Sequence, residues 1–248
     1  MHKFLVIGDS CVDKFIYGTC DRICPEAPVP VFNPTNVKKS GGMASNVQAN
    51  VQSLGVDCDI ITNGELITKT RYVDNKTNQM LLRVDEHDYV KTKVDIDDIK
   101  NRINNYDGVI IADYDKGFLL EEDIEAIIDE CDNVFLNTKK KVSWSFTGTR
   151  FIQLNQYEYQ NTISEIDDMR DEIYEKLIVT CGDRGCYYKK ILYPPPRKVE
   201  ARDLSGAGDT FISAFAVSLV KNNDINTAID FAQECASKVV AKRGVVTI

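Results

Sequence analysis

Short apolar runs alternate along this chain with stretches whose apolar residues recur every three or four positions. Six runs read as buried strands: Phe4–Ile7, Cys58–Thr62, Val109–Ala112, Val134–Leu136, Phe151–Leu154 and Leu177–Thr180. Between them the spacing turns helical. Ala44, Val47, Val51 and Leu54 share one face, and Gly55 follows as a stop signal. Ile124, Ile127, Ile128 and Cys131 keep the i, i+3, i+4, i+7 spacing behind Glu121, Glu122 and Asp123, whose charges suit the positive end of a helix dipole. Ser164 with Asp167 predicts another helix start. Near the end, Ile229, Phe231, Ala232, Cys235, Ala236, Val239 and Val240 outline a helix closed by Gly244. Strands alternating with helices predict an α/β fold, a mostly parallel sheet with helices on both faces.

Two segments break the alternation. Val29-Pro30-Val31-Phe32 is extended and flanked by prolines. Lys69–Asp74 and Gln79–Asp85 read as a hairpin joined through Asn75-Lys76-Thr77-Asn78. Neither suits a parallel core, so both are expected in a small side sheet, a lid over a cleft. The chain reads as one domain over residues 1–248, with lid segments near 13–34 and 68–86.

Composition narrows the classes. The 248 residues suffice for one large core, and 43% hydrophobic with 27% charged residues is ordinary for a globular domain. A net charge of −8 and a pI of about 4.9, with Lys139-Lys140-Lys141 the one tight basic run, argue against nucleic acid as a partner. The apolar run at the start is too short for a signal-peptide core, and no transmembrane stretch is visible, so a cytoplasmic protein with no membrane partner is expected. Eight scattered cysteines without a Cys-x-x-Cys pair, and two histidines, read as reduced thiols and not as a zinc site.

The stretch richest in chemistry is Arg202-Asp203-Leu204-Ser205-Gly206-Ala207-Gly208-Asp209-Thr210. Two glycines and a carboxylate stand where a loop becomes a helix. The following residues, Phe211 to Val220, are apolar or small almost all round, so that helix is expected to be buried with its N-terminus in a cleft. Free amides there make an anion site, and Asp209 beside it is placed to take a proton from a hydroxyl. That pairing suits phosphoryl transfer to an alcohol. The plainer alternative is a turn with an Asp helix cap.

Four strings in order resemble those of the ribokinase-like (PfkB) carbohydrate kinases. Gly41-Gly42-Met43-Ala44-Ser45-Asn46 is similar to the family's Gly-Gly-x-x-x-Asn signature. Asp203 to Asp209 is similar to its Asp-Thr-x-Gly-Ala-Gly-Asp signature, with Leu204 in place of Thr. Asn155-Gln156-Tyr157-Glu158 resembles an Asn-x-x-Glu element, and Thr180-Cys181-Gly182-Asp183-Arg184-Gly185 a Thr-x-Gly-x-x-Gly loop. Within the family, Arg22 to Val31, Gly8 to Asp13, Ala112 to Gly117 and Val239 to Gly244 resemble bacterial heptose 7-phosphate kinases.

The resemblance implies a ribokinase-like three-layer sandwich with a mostly parallel sheet and a small β lid. It implies transfer of the γ-phosphate of ATP, with Mg2+, to a sugar hydroxyl, above all the anomeric hydroxyl of a heptose 7-phosphate. Asp209 would be the base, and Gly206, Ala207 and Gly208 would offer amides to the transferring group. Asp9, Asp13, Gly41, Gly42 and Asn46 would meet the sugar, and Arg71, Arg83 and Lys116 its phosphate. Lys139, Asn155, Thr180, Gly182, Gly185 and Gln233 would meet ATP, with adenine against an apolar wall near Gln233 and Ala236. Glu158 with Asn155 would hold magnesium through water.

Two departures from the family pattern stand out. Asn137-Thr138-Lys139 replaces its Asp-Pro-Lys. Thr62 to Thr68 runs almost directly into the lid strand, where the family has a further strand–helix unit. The shortened core predicts an exposed edge or apolar patch, which a homodimer would cover through that edge or the lid. The sequence stops without the nucleotidyltransferase half often fused to these kinases. The alternatives are a kinase of an unphosphorylated sugar or nucleoside, and an inactive sugar- or nucleotide-binding relative.

Overall fold

The computed structural model describes residues 2–197, 199, 203–242, 244 and 246–248, with the backbone alone described at 170 and 171. Arg202 and Arg243 of the motifs above lie outside these. In chain order the elements are β1 (Lys3–Gly8), β2 (Ser10–Ile23), β3 (Pro30–Met43), α1 (Ala44–Ser53), β4 (Asp57–Thr62), β5 (Ile67–Asp74), β6 (Met80–Glu86) and α2 (Ile96–Arg102). There follow β7 (Gly108–Asp113), α3 (Glu121–Ile128), β8 (Val134–Thr138), β9 (Phe151–Asn155), α4 (Gln156–Asn161), α5 (Ile163–Asp168) and α6 (Arg170–Ile173). β10 (Leu177–Thr180), β11 (Cys186–Tyr188), β12 (Ile191–Tyr193), α7 (Ala207–Asn222) and α8 (Ile225–Val240) complete the chain.

Eight strands form the central sheet in the order β12-β11-β10-β9-β8-β7-β1-β4. β4, β1, β7, β8, β9 and β10 run parallel, and β11 and β12 are antiparallel additions. The six apolar runs are these six parallel strands. The inner ones are largely apolar because both faces are covered, whereas β4, at the edge, carries Asp57 and Asp59. Along β1, Leu5 and Ile7 enter one core with Ile124 and Ile127 of α3, while Phe4 and Val6 enter the other with α1, α7 and α8. The result is three layers. The second core is aromatic at its centre: Phe215 meets Phe151 edge-on at 5.0 Å and Phe135 at 6.1 Å.

β3, β2, β5 and β6 form a separate four-stranded sheet. β2 and β3 are 14 residues each; β2 starts and β3 ends in buried positions, so this sheet begins at Ser10, before position 13, and runs on to Met43, beyond position 34. The hairpin of β5 and β6 turns at Asn75–Asn78, with Asp74 Oδ2 accepting from the amides of Lys76 and Thr77.

Only residues 63–66 separate β4 from β5, and β4 is the edge of the central sheet. Of the expected exposed edge or apolar patch, β4 is an exposed edge, and a polar one. Gln48 and Gln52 of α1 both donate to the Cys58 carbonyl, at 2.9 and 3.2 Å, and Asp57 and Asp59 face outward. Asp59 also takes the Lys3 ammonium and the Tyr106 hydroxyl. Charge and side-chain amides thus blunt this edge. A run of uncovered apolar residues sits instead on β6, where Met80, Leu81, Leu82 and Val84 are all exposed.

Ser164 is not a helix cap. It lies inside α5, whose N-cap is Thr162, and its hydroxyl donates to Glu165. Among the described residues no helix is long and apolar enough to cross a membrane.

Candidate active site

The C-terminal ends of parallel strands are where a doubly covered sheet leaves a crevice. Here the loops after β1, β7, β8, β9 and β10 converge there with the start of α7. Gly206, at φ 81, is the N-cap of α7, a left-handed conformation that glycine adopts without a steric cost. Every residue from Asp209 to Leu219 is buried, as expected for a helix driven into the core. The offer of three amides to an anion needs one correction. Ala207 N–H already donates to the Leu204 carbonyl at 3.3 Å, which leaves Gly206 and Gly208 of the three, with the Asp209 amide as a further donor that the helix does not use.

Asp209 is 7% exposed and held from two sides. Asn46, in α1, donates to one carboxylate oxygen at 2.8 Å, and the Tyr114 hydroxyl donates to the other. Burial pushes the Asp209 carboxyl upward, against the pull of these two hydrogen bonds and of the Lys139 charge. Tyr114 was not singled out from the sequence, although Ala112-Asp113-Tyr114-Asp115-Lys116-Gly117 was. Its signal was a buried-strand end followed by a tyrosine, which says nothing of a partner far along the chain.

Asp9 has different work from the sugar contact expected of it. It is fully buried, and its oxygens accept from the backbone amides of Tyr114 (2.8 Å), Phe118 (3.2 Å) and Lys116 (3.4 Å). Burial raises its carboxyl despite these donors. The side chain braces the loop after β7 and is closed off from solvent.

The underside of the four-stranded sheet carries the other expected residues. Asp13, nearly buried, pairs with Arg71, and the Arg71 guanidinium lies over the Phe15 ring at 5.0 Å. Arg71 and Arg83 face each other across β5 and β6. Arg83 is bidentate to Asp85 at 2.7 and 2.8 Å. Lys116 Nζ lies 2.6 Å from Asp88, which also takes Lys69 at 3.2 Å. Burial works against the Asp88 carboxylate, but hydrogen bonds from Lys116 and Lys69 outweigh it and hold it below the usual range. Each cation expected on this side therefore already has a carboxylate. Gly42 sits where a methyl would lie 2.1 Å from Asp13 Oδ2, so the bare backbone is what admits this carboxylate.

On the far side of α7's start lies an open cavity of about 300 Å³. Thr180, Gly182, Gly185, Gly208 and Gln233 line it, with Ala236, Phe211 and Val240 as an apolar wall. Gln233 is 4% exposed; its amide nitrogen donates to the Pro194 carbonyl, while its oxygen is buried without a partner. A buried unpaired acceptor in a cavity wall is suited to an amino donor on a flat ligand.

Asn155 and Glu158 form a reciprocal helix cap at the start of α4: Asn155 Oδ1 accepts from the Glu158 amide at 2.9 Å, and Glu158 Oε2 from the Asn155 amide at 2.8 Å. The other Glu158 oxygen pairs with Lys139. Among the described residues no group of three His, Cys, Asp or Glu side chains could hold a metal. Asn137 is turned into the sheet, bonded to Gln153. Three residues on, Lys140 is bound to the fully buried Asp113, a pair with no signal in the sequence.

Residues 67–248 match the model of the pfkB family of carbohydrate kinases. The chain is 29% identical, over 297 aligned positions, to the bifunctional protein HldE of Helicobacter acinonychis (strain Sheeba), covering 98% of this chain and 64% of that protein. It is 27% identical to the bifunctional protein HldE of Aliarcobacter butzleri (strain RM4018), covering 99% and 62%. The chain thus spans a little under two thirds of the length of these relatives. An alignment of 297 positions on a chain of 248 residues also means that the relative carries internal residues with no counterpart here. Among solved structures, the ribokinase of Thermotoga maritima superposes with a TM-score of 0.77 at 17% identity, covering 99% of this chain and 95% of that one. The Arabidopsis thaliana ribokinase complexed with ribose and ATP gives 0.70 at 14%, covering 98% and 94%.

Proposed function

The chain belongs to the pfkB family of carbohydrate kinases, and from that premise we propose that it moves the γ-phosphate of ATP to the anomeric hydroxyl of a heptose already phosphorylated at position 7. One observation carries the reading. Asn46, from the N-terminal glycine signature, is hydrogen-bonded to Asp209 of the C-terminal one, 163 positions away. In this reading that buried carboxylate meets the sugar on one side, next to Gly208 in the wall of the cavity that takes the nucleotide.

In this reading Asp209 accepts the proton of the attacking hydroxyl, and the Gly208 and Asp209 amides meet the charge that spreads over the transferring phosphoryl oxygens. Asp13, Gly41, Gly42 and Asn46 position the sugar. Thr180, Gly182, Gly185 and Gln233 hold the nucleotide, with the Gln233 oxygen facing the adenine amine. Lys139 turns from Glu158 to the phosphates, which frees Glu158, beside Asn155, to meet a magnesium ion through water. The donor set fits an ion carried by the nucleotide rather than caged by protein; when bound it neutralises the phosphate charges. Residues 1–248 act as one domain with the four-stranded sheet as its lid, and the apolar face of β6 supports a homodimer through that lid. A cytoplasmic location fits this substrate.

The paired cations favour a second reading. A substrate phosphate would have to displace Asp88 from Lys116 and Lys69, or Asp85 from Arg83, so a sugar without a phosphate also suits this surface. The test is ADP release from Mg-ATP with a sugar panel that includes heptose 7-phosphates, run on the wild type and on Asp209→Asn. Turnover on a 7-phosphoheptose, lost in the variant, is the expected result. Turnover confined to unphosphorylated sugars would shift the assignment to the second reading. ATP binding without turnover on any sugar would refute both.

A further inference from the structure

We infer that Tyr114 is a positioning residue for the phosphoryl transfer, one whose hydroxyl fixes the orientation of the Asp209 carboxylate. The inference rests on Asp209 being the base, as proposed above.

Tyr114 stands at the first position after β7, in a loop whose path is set by Asp9. That buried carboxylate accepts from the amides of Tyr114, Lys116 and Phe118, so the loop is held by three bonds to one side chain. The Tyr114 ring is wedged between both apolar cores of the sheet. Its hydroxyl reaches Asp209 Oδ1, while Asn46 holds Oδ2. With one donor on each oxygen, the carboxylate cannot rotate without losing a hydrogen bond in a buried place, where an unmet partner is costly. A base fixed in this way stays aligned with its hydroxyl when the sugar arrives.

The phenol is also fixed as a donor. Burial, with the Asp209 charge beside it, lifts the Tyr114 hydroxyl well above the usual tyrosine range, so it is a donor at neutral pH. The Lys139 ammonium lies 5.1 Å from the centre of the same ring. The lysine expected at the nucleotide phosphates and the base expected at the sugar therefore share one aromatic side chain as support.

The charged and titratable groups around Asp209 are Tyr114 from the loop after β7, Lys139 from the loop after β8, and Asp13 and Cys11 from β2, with Asn46 as the neutral donor from α1. Tyr114 itself also faces Glu158. The sign is then determined. Tyr114 and Lys139 hold the carboxylate down against burial and Asp13. Removing the Tyr114 hydroxyl lets Asp209 rise further, and a base that must be ionised then works only at higher pH.

Tyr114→Phe keeps the ring, its packing and its place under Lys139, and removes only the donor. The expected result is a fall in kcat of about tenfold, from the loss of one hydrogen bond to a charged group, with KM for ATP and for sugar unchanged. The acid limb of the kcat/KM profile should move up by about one pH unit. Placing 3-fluorotyrosine at 114, a more acidic and stronger donor, should move that limb the other way. Asp209→Asn is the control. If Tyr114→Phe keeps the wild-type kcat and acid limb while Asp209→Asn is dead, this inference is wrong and the base assignment stands. If Asp209→Asn is itself active, the proposed mechanism fails first. Should Tyr114→Phe not fold, the fluorotyrosine protein decides alone, and an unmoved acid limb there overturns the inference.

Discussion

Replacing Lys140 by methionine removes one charge from a pair that is almost out of solvent. Lys140 Nζ lies 2.9 and 3.0 Å from the two oxygens of Asp113, whose side chain is fully buried, and its own side chain is 17% exposed. At that separation opposite charges attract by about 5 kcal/mol at an effective dielectric of about 20. Most of this offsets the cost of burying the ammonium, so the pair adds little net stability. Breaking it is another matter, because the carboxylate stays behind: one-sided removal of a buried pair costs about 3–5 kcal/mol. The Thr138 hydroxyl and the Asp115 amide still donate to Asp113, which puts the expected loss at the lower end, about 3 kcal/mol. For a chain of this size that is a fall in Tm of about 6–12 °C. Urea unfolding of wild type, Lys140→Met, Asp113→Asn and the double variant measures it, since the double variant should recover about 2 kcal/mol of the single loss. Burial lowers the Lys140 ammonium, but Asp113 and Asp115 outweigh it, so its folded pKa lies above the unfolded 10.5. The pair's contribution is then complete below pH 10.5 and is lost as pH rises through the folded value. The gap between wild type and Lys140→Met should be flat at neutral pH and close only in strong alkali. A loss under about 1 kcal/mol, or no coupling with Asp113→Asn, would refute this reasoning.

Three further outcomes follow from close contacts. Gly42→Ala puts a methyl 2.1 Å from Asp13 Oδ2 and 2.8 Å from Cys11 Sγ, so Asp13 must leave Arg71; sugar KM should rise by about tenfold, with ATP KM unchanged in the same assay. Gln233→Leu removes the unpaired acceptor from the cavity wall and should raise the KM for ATP several-fold while kcat holds; equal ATP affinity by calorimetry would remove Gln233 from the nucleotide site. Gly8→Ala would bring a methyl to 2.0 Å from the Ala112 carbonyl between β1 and β7, where neither backbone can retreat; the soluble yield and Tm should both fall sharply, and a Tm within 2 °C of wild type, about 1 kcal/mol or less, would refute the packing described.

The parallel sheet was legible because its strands are buried on both faces and so read as unbroken apolar runs, and α1, α3 and α8 because each shows a one-sided stripe. β11 and β12 were missed: three residues apiece is too short for a period to show. The length of β2 and β3 was missed for a different reason. Thirteen of their cross-strand pairs lie in a sheet with little burial on the outer side, so polar residues such as Asn36, Lys38 and Lys39 interrupt the alternation. Gly206 to Asp209 could be placed at a helix start from glycines and a buried run alone, since those are local properties. That Asp9 braces a loop more than 100 residues away, and that Arg71 and Lys116 meet acids 58 and 28 positions off, were decided only in three dimensions. So was the clamp on Asp209, whose two donors lie 163 and 95 positions from it. Periodicity reports which side of a segment is buried, because burial is a property of each residue in turn. It carries no record of which polar group will meet which, since that depends on where the folded sheet brings distant loops together.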